Sequence, residues 1–189
     1  TRVSTPRPDP GWRPVIGLLP KMFVPFIGMR SMATQPSALV ALRMLSLYVA
    51  VAIVPVWAVA IVVVAELDRG RSIGMSVAFA AAVGVVSLMV ARMLAVRVSH
   101  RSARAFAHSF PRATMLQFVT AVASALVGFG LTVLSGSLWP YAVGFAFAVV
   151  GLVHALPTAA RLGREQQIAD ETGSAVDVVA ALVEHRLFR

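Results

Sequence analysis

Charged residues are absent from three long stretches of the chain, 44–65, 72–91 and 113–160, so the pattern is one of apolar runs with short polar punctuation. A bilayer core about 30 Å thick takes roughly 20 apolar residues of helix at about 1.5 Å each. The first two runs therefore predict one span apiece. The third is too long for one helix, and it is interrupted by Ser135, Gly136, Ser137, Leu138, Trp139 and Pro140, turn formers followed by a proline suited to the first turn of a new helix. Four spans follow, over about 44–66, 72–96, 114–134 and 140–156. The expected fold is an all-α polytopic membrane protein built around a four-transmembrane-helix bundle at 44–160.

Composition agrees with the pattern. Apolar residues make up 58% of the 189 and charged residues only 13%, against about 25% charged in ordinary soluble domains. A water-soluble domain and a disordered chain are both excluded.

Charge adds an orientation. Residues 1–43 carry five Arg and Lys21 against the single Asp9, and the connection between spans two and three carries Arg92, Arg97, Arg101, Arg104 and Arg112 with no acid. In the first connection, Glu66 and Asp68 balance Arg69 and Arg71, and the 135–139 turn is neutral. Positive segments stay inside, so both termini are expected in the cytoplasm and the protein in the plasma membrane. The first strongly apolar span begins too late for a cleaved secretory signal. Arg supplies 16 of the 17 basic residues, which with abundant Ala and Val resembles the coding bias of a GC-rich bacterium. Trp139 and Tyr141 suit the outer interfacial belt.

Three polar segments flank the bundle. In the arm at 1–43, Pro14, Pro20 and Pro25 recur too often for a spanning helix, so residues 12–32 are expected at the headgroup level or on a partner, with Trp12 as an anchor. Across 97–112, Arg97, Arg101, Arg104 and His108 fall at spacings of four, three and four, one face of a helix. That helix is expected to extend span two and to stop before Pro111. The stripe suits an anionic lipid or an acidic partner. In the tail at 161–189, a polar helix around 158–171 breaks at Gly173. Ser174 and Asp177 then approximate a capping box for an amphipathic helix at about 175–187, whose Val176, Val179, Ala180, Val183 and Leu187 need cover from the bilayer or another protein.

Candidate chemistry is sparse. The span centres hold no Asp, Glu or Lys, which argues against ion-coupled transport, since that chemistry uses an embedded carboxylate. Arg43, Arg92, Gln117 and His154 lie at one expected depth near the cytoplasmic ends of the four spans. Together they would form a lipid-phosphate pocket, with Arg binding oxygens and the others adding hydrogen bonds; separately, the two Arg would snorkel and His154 would bond a backbone carbonyl. Haem is disfavoured because a second His at the depth of His154 is lacking, so no cofactor is expected. The chain has no cysteine, and no motif for a catalytic or metal site appears.

Small residues are the bundle's clearest signal. Ala80 with Gly84, Ala121 with Ala125, and Gly144 with Ala148 follow the spacing that lets helix backbones approach, and Gly128, Gly130 and Gly151 would tighten the last hairpin. Leu47, Trp57, Phe79, Leu88, Phe118 and Phe147 are expected to face lipid or a partner. The reading reached is a non-catalytic accessory or assembly subunit of a larger membrane complex. Its partners would be other membrane subunits and anionic phospholipid, not nucleic acid, and the alternative is a small oligomeric lipid or lipid-linked-sugar transporter.

Overall fold

Apolar runs of this length satisfy their backbone only as helices, because hydrocarbon offers no competing hydrogen bonds. A computed structural model of the chain describes residues 9–17, 35, 37–66 and 73–185, and among these every regular element is helical. The order is α1 (Arg13–Ile16), α2 (Ala38–Glu66), α3 (Ile73–Val96), α4 (Ala103–Ser135), α5 (Trp139–Ala155), α6 (Ala159–Glu171) and α7 (Val178–Glu184). Three helices are long and apolar enough to cross a membrane: α2 over Ala38–Val62, α3 and α4. The fourth candidate is α5 together with α6, a pair bent by 54°. By itself α5 reaches about 26 Å at 1.5 Å per residue, slightly less than the hydrocarbon thickness. The first connection, with Asp68, Arg69 and Arg71, lies outside the described residues, as do 18–34 of the arm with Lys21.

The basic connection departs from the expected extension of span two. Helix α3 ends at Val96, residues 97–102 are non-helical, and α4 starts at Ala103 and runs through Pro111. Proline inside a helix forfeits one backbone hydrogen bond and costs about 3 kcal/mol. Burial of Phe106, Ala107, Phe110 and Ala113 around it supplies stabilisation of comparable size, since a buried Phe alone contributes about 2–3 kcal/mol. Arg97 and Arg101 consequently precede the helix, and only Arg104 and His108 share one of its faces.

The chain divides into two units. An apolar unit comprises Val49–Val96 and Thr114–Ala155, and a composite unit draws on Thr1–Tyr48, Arg97–Ala113 and Leu156–Arg189.

In the apolar unit α4 and α5 form an antiparallel hairpin across the 135–138 turn. A Cβ built on Gly144 would lie 2.5 Å from the carbonyl oxygen of Ser124, and one on Gly128 would lie 2.7 Å from that of Pro140. These two glycines are what allow the backbones to touch. The Ser124 hydroxyl donates across the contact to the Gly144 carbonyl at 3.2 Å, and the Tyr141 amide donates to Thr132 Oγ1 at 3.1 Å. Helix α3 packs along α5 in parallel register, with Gly84 against the Phe147 ring and Leu88 beside Gly151. Gln117, buried on α4, donates to the Ala91 carbonyl on α3 at 2.9 Å.

Several large residues face inward, contrary to expectation. Trp57 meets Tyr141 and Phe145 edge-on with centroids 5.2 and 5.5 Å away, Phe118 is buried, and Phe147 fills the notch left by Gly84. A helix lined by Gly and Ala leaves room that only a large neighbour can fill, and packing to interior density draws the aromatics in. Tyr141 is fully buried among aromatic neighbours, whereas Trp139 is exposed. Gly130 has open space beside it and takes no part in the hairpin contact, and Phe79 is exposed on α3.

In the composite unit three segments far apart in sequence share one core. Leu39 and Leu42 from α2, Val98, Phe106 and Phe110 from the connection, and Leu162, Val178 and Leu182 from the tail are all buried in it. A second cluster packs Val15 of α1 on Val40 and Met44, with Leu47 partly buried against it. The tail helix thus finds its cover inside the protein. Its cap is Asp177, which accepts from the Ala180 amide at 2.9 Å, so the helix starts three residues later than a Ser174 cap would place it. Val178, Ala181 and Leu182 form the buried face in consequence. Gly173, at φ 69°, ends α6 as expected; residues 186–189, including Leu187, lie outside the described residues.

Candidate functional site

The polar side chains of the composite unit are held by one another. Arg43, in the second turn of α2, is completely buried. Its Nη1 and Nη2 donate to the two carboxylate oxygens of Asp9 at 2.7 Å each, Nη1 also donates to the Gly11 carbonyl at 2.6 Å, and Nε donates to the Pro157 carbonyl at 3.2 Å. Trp12 stacks under the guanidinium at 5.2 Å from the ring centroid. One side chain therefore fastens the arm and the α5–α6 break to the start of α2. The Arg43 hydrogen bonds hold the Asp9 carboxyl below the usual carboxylate range, against the opposing effect of burial.

A second knot joins the connection to the tail. His100 Nε2 donates to Glu165 Oε2 at 2.8 Å, and Ser174 Oγ donates to the His100 carbonyl. The His100 ring lies 5.4 Å from Phe106, Phe106 stacks on Phe110 at 5.3 Å, and Arg161 sits 4.9 Å over Phe110. Burial pushes the Arg161 guanidinium below its ordinary value, while Glu165 acts the other way. Gln166 acts as a backbone surrogate, donating to the Val176 carbonyl at 3.0 Å and accepting from the Val178 amide at 2.9 Å. The His108 and His185 rings meet edge-on at 4.6 Å, and the His185 carbonyl accepts from the Ala38 amide at 2.7 Å.

The expected phosphate quartet is arranged differently. Arg43 spends four of its five N–H groups on Asp9 and two carbonyls, and Trp12 is its stacking partner. Gln117 is spent on the Ala91 carbonyl. His154 is exposed, with Nδ1 donating to the Val150 carbonyl of its own helix at 2.8 Å, as in the separate-residue alternative. Arg92 is exposed on α3, and Arg97, Arg101, Arg104, His108 and Arg112 are exposed in the connection. Among the described residues no cluster of three or more His, Cys, Asp or Glu is placed to hold a metal ion.

Asp9, His100, Glu165, Gln166 and Arg161 were not singled out by sequence reasoning. Asp9 carried a readable signal, being the one acid among the basic residues of 1–43 and heading an Asp-Pro-Gly turn. Apart from the local bond of Gln166 to Asp170, the partners of Glu165 and Gln166 described above are 10 or more residues away and leave no local pattern. No protein family, curated protein or solved structure matches the chain.

Proposed function

We propose that this chain is a non-catalytic integral membrane protein, an accessory or assembly subunit that joins a larger complex through helix packing. The observation that carries the reading is on α3. Met75, Phe79, Ala82, Val86, Met89, Met93 and Val96 are all exposed and recur at spacings alternating four and three. That is the heptad seam by which one helix interlocks with another at a shallow crossing angle. Ile73, Ala78, Val85 and Val90 widen the same exposed face, and methionine-rich surfaces adapt readily to a partner. The opposite side of α3, with Ala80 and Gly84, is already taken by the chain's own helices.

Non-catalytic action is supported by where the reactive groups are spent. Arg43, His100, Glu165 and Gln117 are engaged in bonds that hold backbone or neighbouring segments. Four passes in a bacterial plasma membrane, with both ends cytoplasmic, are supported by the parallel run of α3 and α5, the antiparallel run of α4, and the basic flanks.

The cysteine-free sequence makes the test direct. Single substitutions Met75→Cys, Ala82→Cys and Met89→Cys in native membranes should give crosslinks to a discrete membrane polypeptide, whereas Ala80→Cys should give none. Only monomer at all four positions would overturn the subunit reading. The lipid-transporter alternative draws on Arg92 and His154. The register that sets Leu88 beside Gly151 carries them to a similar level one turn on, and Arg92→Ala would then abolish transport with crosslinking intact.

A further inference from the structure

We propose that Arg97, Arg101, Arg104 and Arg112 form a docking surface for the headgroups of anionic phospholipids at the membrane interface. The proposal stands on the placement of the connection and is independent of whether a partner subunit is captured.

Arg97 directly follows Val96, the last residue of a membrane-crossing helix and 86% exposed. After Arg112 the chain carries no charge until Arg161. The connection therefore leaves and re-enters the apolar layer within 16 residues, too few to carry it far from the headgroups. All four arginines are exposed while Val98, Phe106, Phe110 and Ala113 of the same segment are buried in the composite core. The segment leaves its cations exposed and closes its apolar side chains within the protein.

The carboxylate bonded to this segment is sealed in the core. Glu165 is bound to His100 at 2.8 Å, with the two side chains only 10% and 12% exposed. It therefore does little to screen the outer arginines, and 97–112 contains no acid of its own. Of the other exposed acids of the unit, Asp170 and Glu171 belong to α6, while Glu184 adjoins His185, whose ring meets His108 of this segment.

The arginines are also held on a prearranged backbone. The Ser99 amide donates to Ser109 Oγ at 3.0 Å, Ser102 Oγ accepts from the Ala105 amide at 3.2 Å, and Ser174 ties down the His100 carbonyl. Little backbone entropy is then lost when a phosphodiester binds. Guanidinium offers paired donors to phosphate oxygens, a geometry that lysine lacks. An acidic polypeptide would satisfy the charge equally, but the position of the segment at a span end favours lipid.

The test uses the full chain purified in mild detergent and titrated with phosphatidylglycerol or phosphatidylcholine of identical acyl chains, with bound lipid counted by native mass spectrometry. Phosphatidylglycerol should bind at least tenfold more tightly. Each basic residue near an anionic surface contributes about 1 kcal/mol, equivalent to about fivefold, so Arg101→Gln with Arg104→Gln should weaken phosphatidylglycerol by roughly thirtyfold. That double variant keeps Arg92, Arg97 and Arg112 to orient the chain. The same two positions changed to Lys should retain selectivity but bind less tightly, and Asp170→Asn with Glu171→Gln should leave it unchanged. Equal binding of the two lipids, or wild-type selectivity in the Gln variant, would overturn the proposal. So would an acidic polypeptide that copurifies with the chain and blocks phosphatidylglycerol binding.

Discussion

The apolar unit and the composite unit are stabilised by opposite devices. In the apolar unit the decisive positions are those where a side chain is missing: Gly144 and Gly128 let α4 and α5 meet backbone to backbone, and Gly84 accepts the ring of Phe147. Its polar bonds between helices run from side chain to backbone, Gln117 to Ala91 joining α4 to α3 and Ser124 to Gly144 joining α4 to α5. In the composite unit the decisive positions carry large polar groups, with Arg43 linking segments up to 114 residues apart. Where lipid surrounds both the separated and the assembled helices, burial of apolar surface discriminates little, and close packing must specify the structure. Where three segments far apart in sequence must find one another, directional bonds to a buried guanidinium specify it.

The largest expected effect separates these devices. Arg43→Ala removes the group on which Asp9, Gly11, Pro157 and Trp12 converge, and breaking a buried pair costs about 3–5 kcal/mol. Limited proteolysis of the detergent-solubilised protein should show at least tenfold faster cleavage in the arm and in 97–112, with overall helix content retained. Cleavage at the wild-type rate would end the view of Arg43 as the knot of that unit. Asp9→Asn should act in the same direction but less, because the carboxylate is partly exposed.

The same pair sets a pH dependence. The folded state lowers the Asp9 pKa, so its contribution is complete above the ordinary carboxylate value of about 4 and is lost as pH falls through the lower folded value. Wild-type proteolytic resistance should decline on acidification below about pH 4, and the Asp9→Asn protein should lack this component. An identical acid profile in both would remove Asp9 as its source.

Next in size comes Gly144→Ala, whose added methyl meets the Ser124 backbone. Overpacking of this kind costs about 1–3 kcal/mol and should lower the thermal midpoint of the detergent-solubilised protein. Gly84→Ala should cost a comparable amount, because the added methyl would overlap Cγ and Cβ of Phe147, atoms that rotation of the ring leaves in place. Gln117→Leu should cost about 1 kcal/mol, the usual worth of a hydrogen bond between membrane helices. Gly130→Ala should be nearly silent, within about 0.5 kcal/mol. Equal losses at Gly130 and Gly144 would show that close approach is not what the hairpin depends on.

Legibility follows the same division. Helix α3 lies within one residue of the span read from hydropathy, and the α4–α5 turn falls where Ser135 to Pro140 announced it, because both depend on local composition. The α4 start did not follow local signals: Pro111 argued for a stop, and the packing of Phe106 and Phe110 against residues of the tail overrode it. The tail helix was visible as amphipathic, yet its buried face was shifted, since the choice of Asp177 over Ser174 as cap depends on Ser174 being engaged by the His100 carbonyl. Arg43 was visible as a cation at a span end and Asp9 as the one acid of the arm, but their pairing across 34 residues was not.

Composition and the order of apolar runs were sufficient to establish a helical membrane protein with three or four long apolar helices, because a bilayer admits so few backbone solutions. They also located the basic connection, since charge is read directly from residue type. Which polar groups are sealed inside and which remain on the surface was settled by folding. Arg43 and Arg101 look alike in the chain, and only the meeting of distant segments surrounds one with a carboxylate, two carbonyls and an indole while leaving the other exposed.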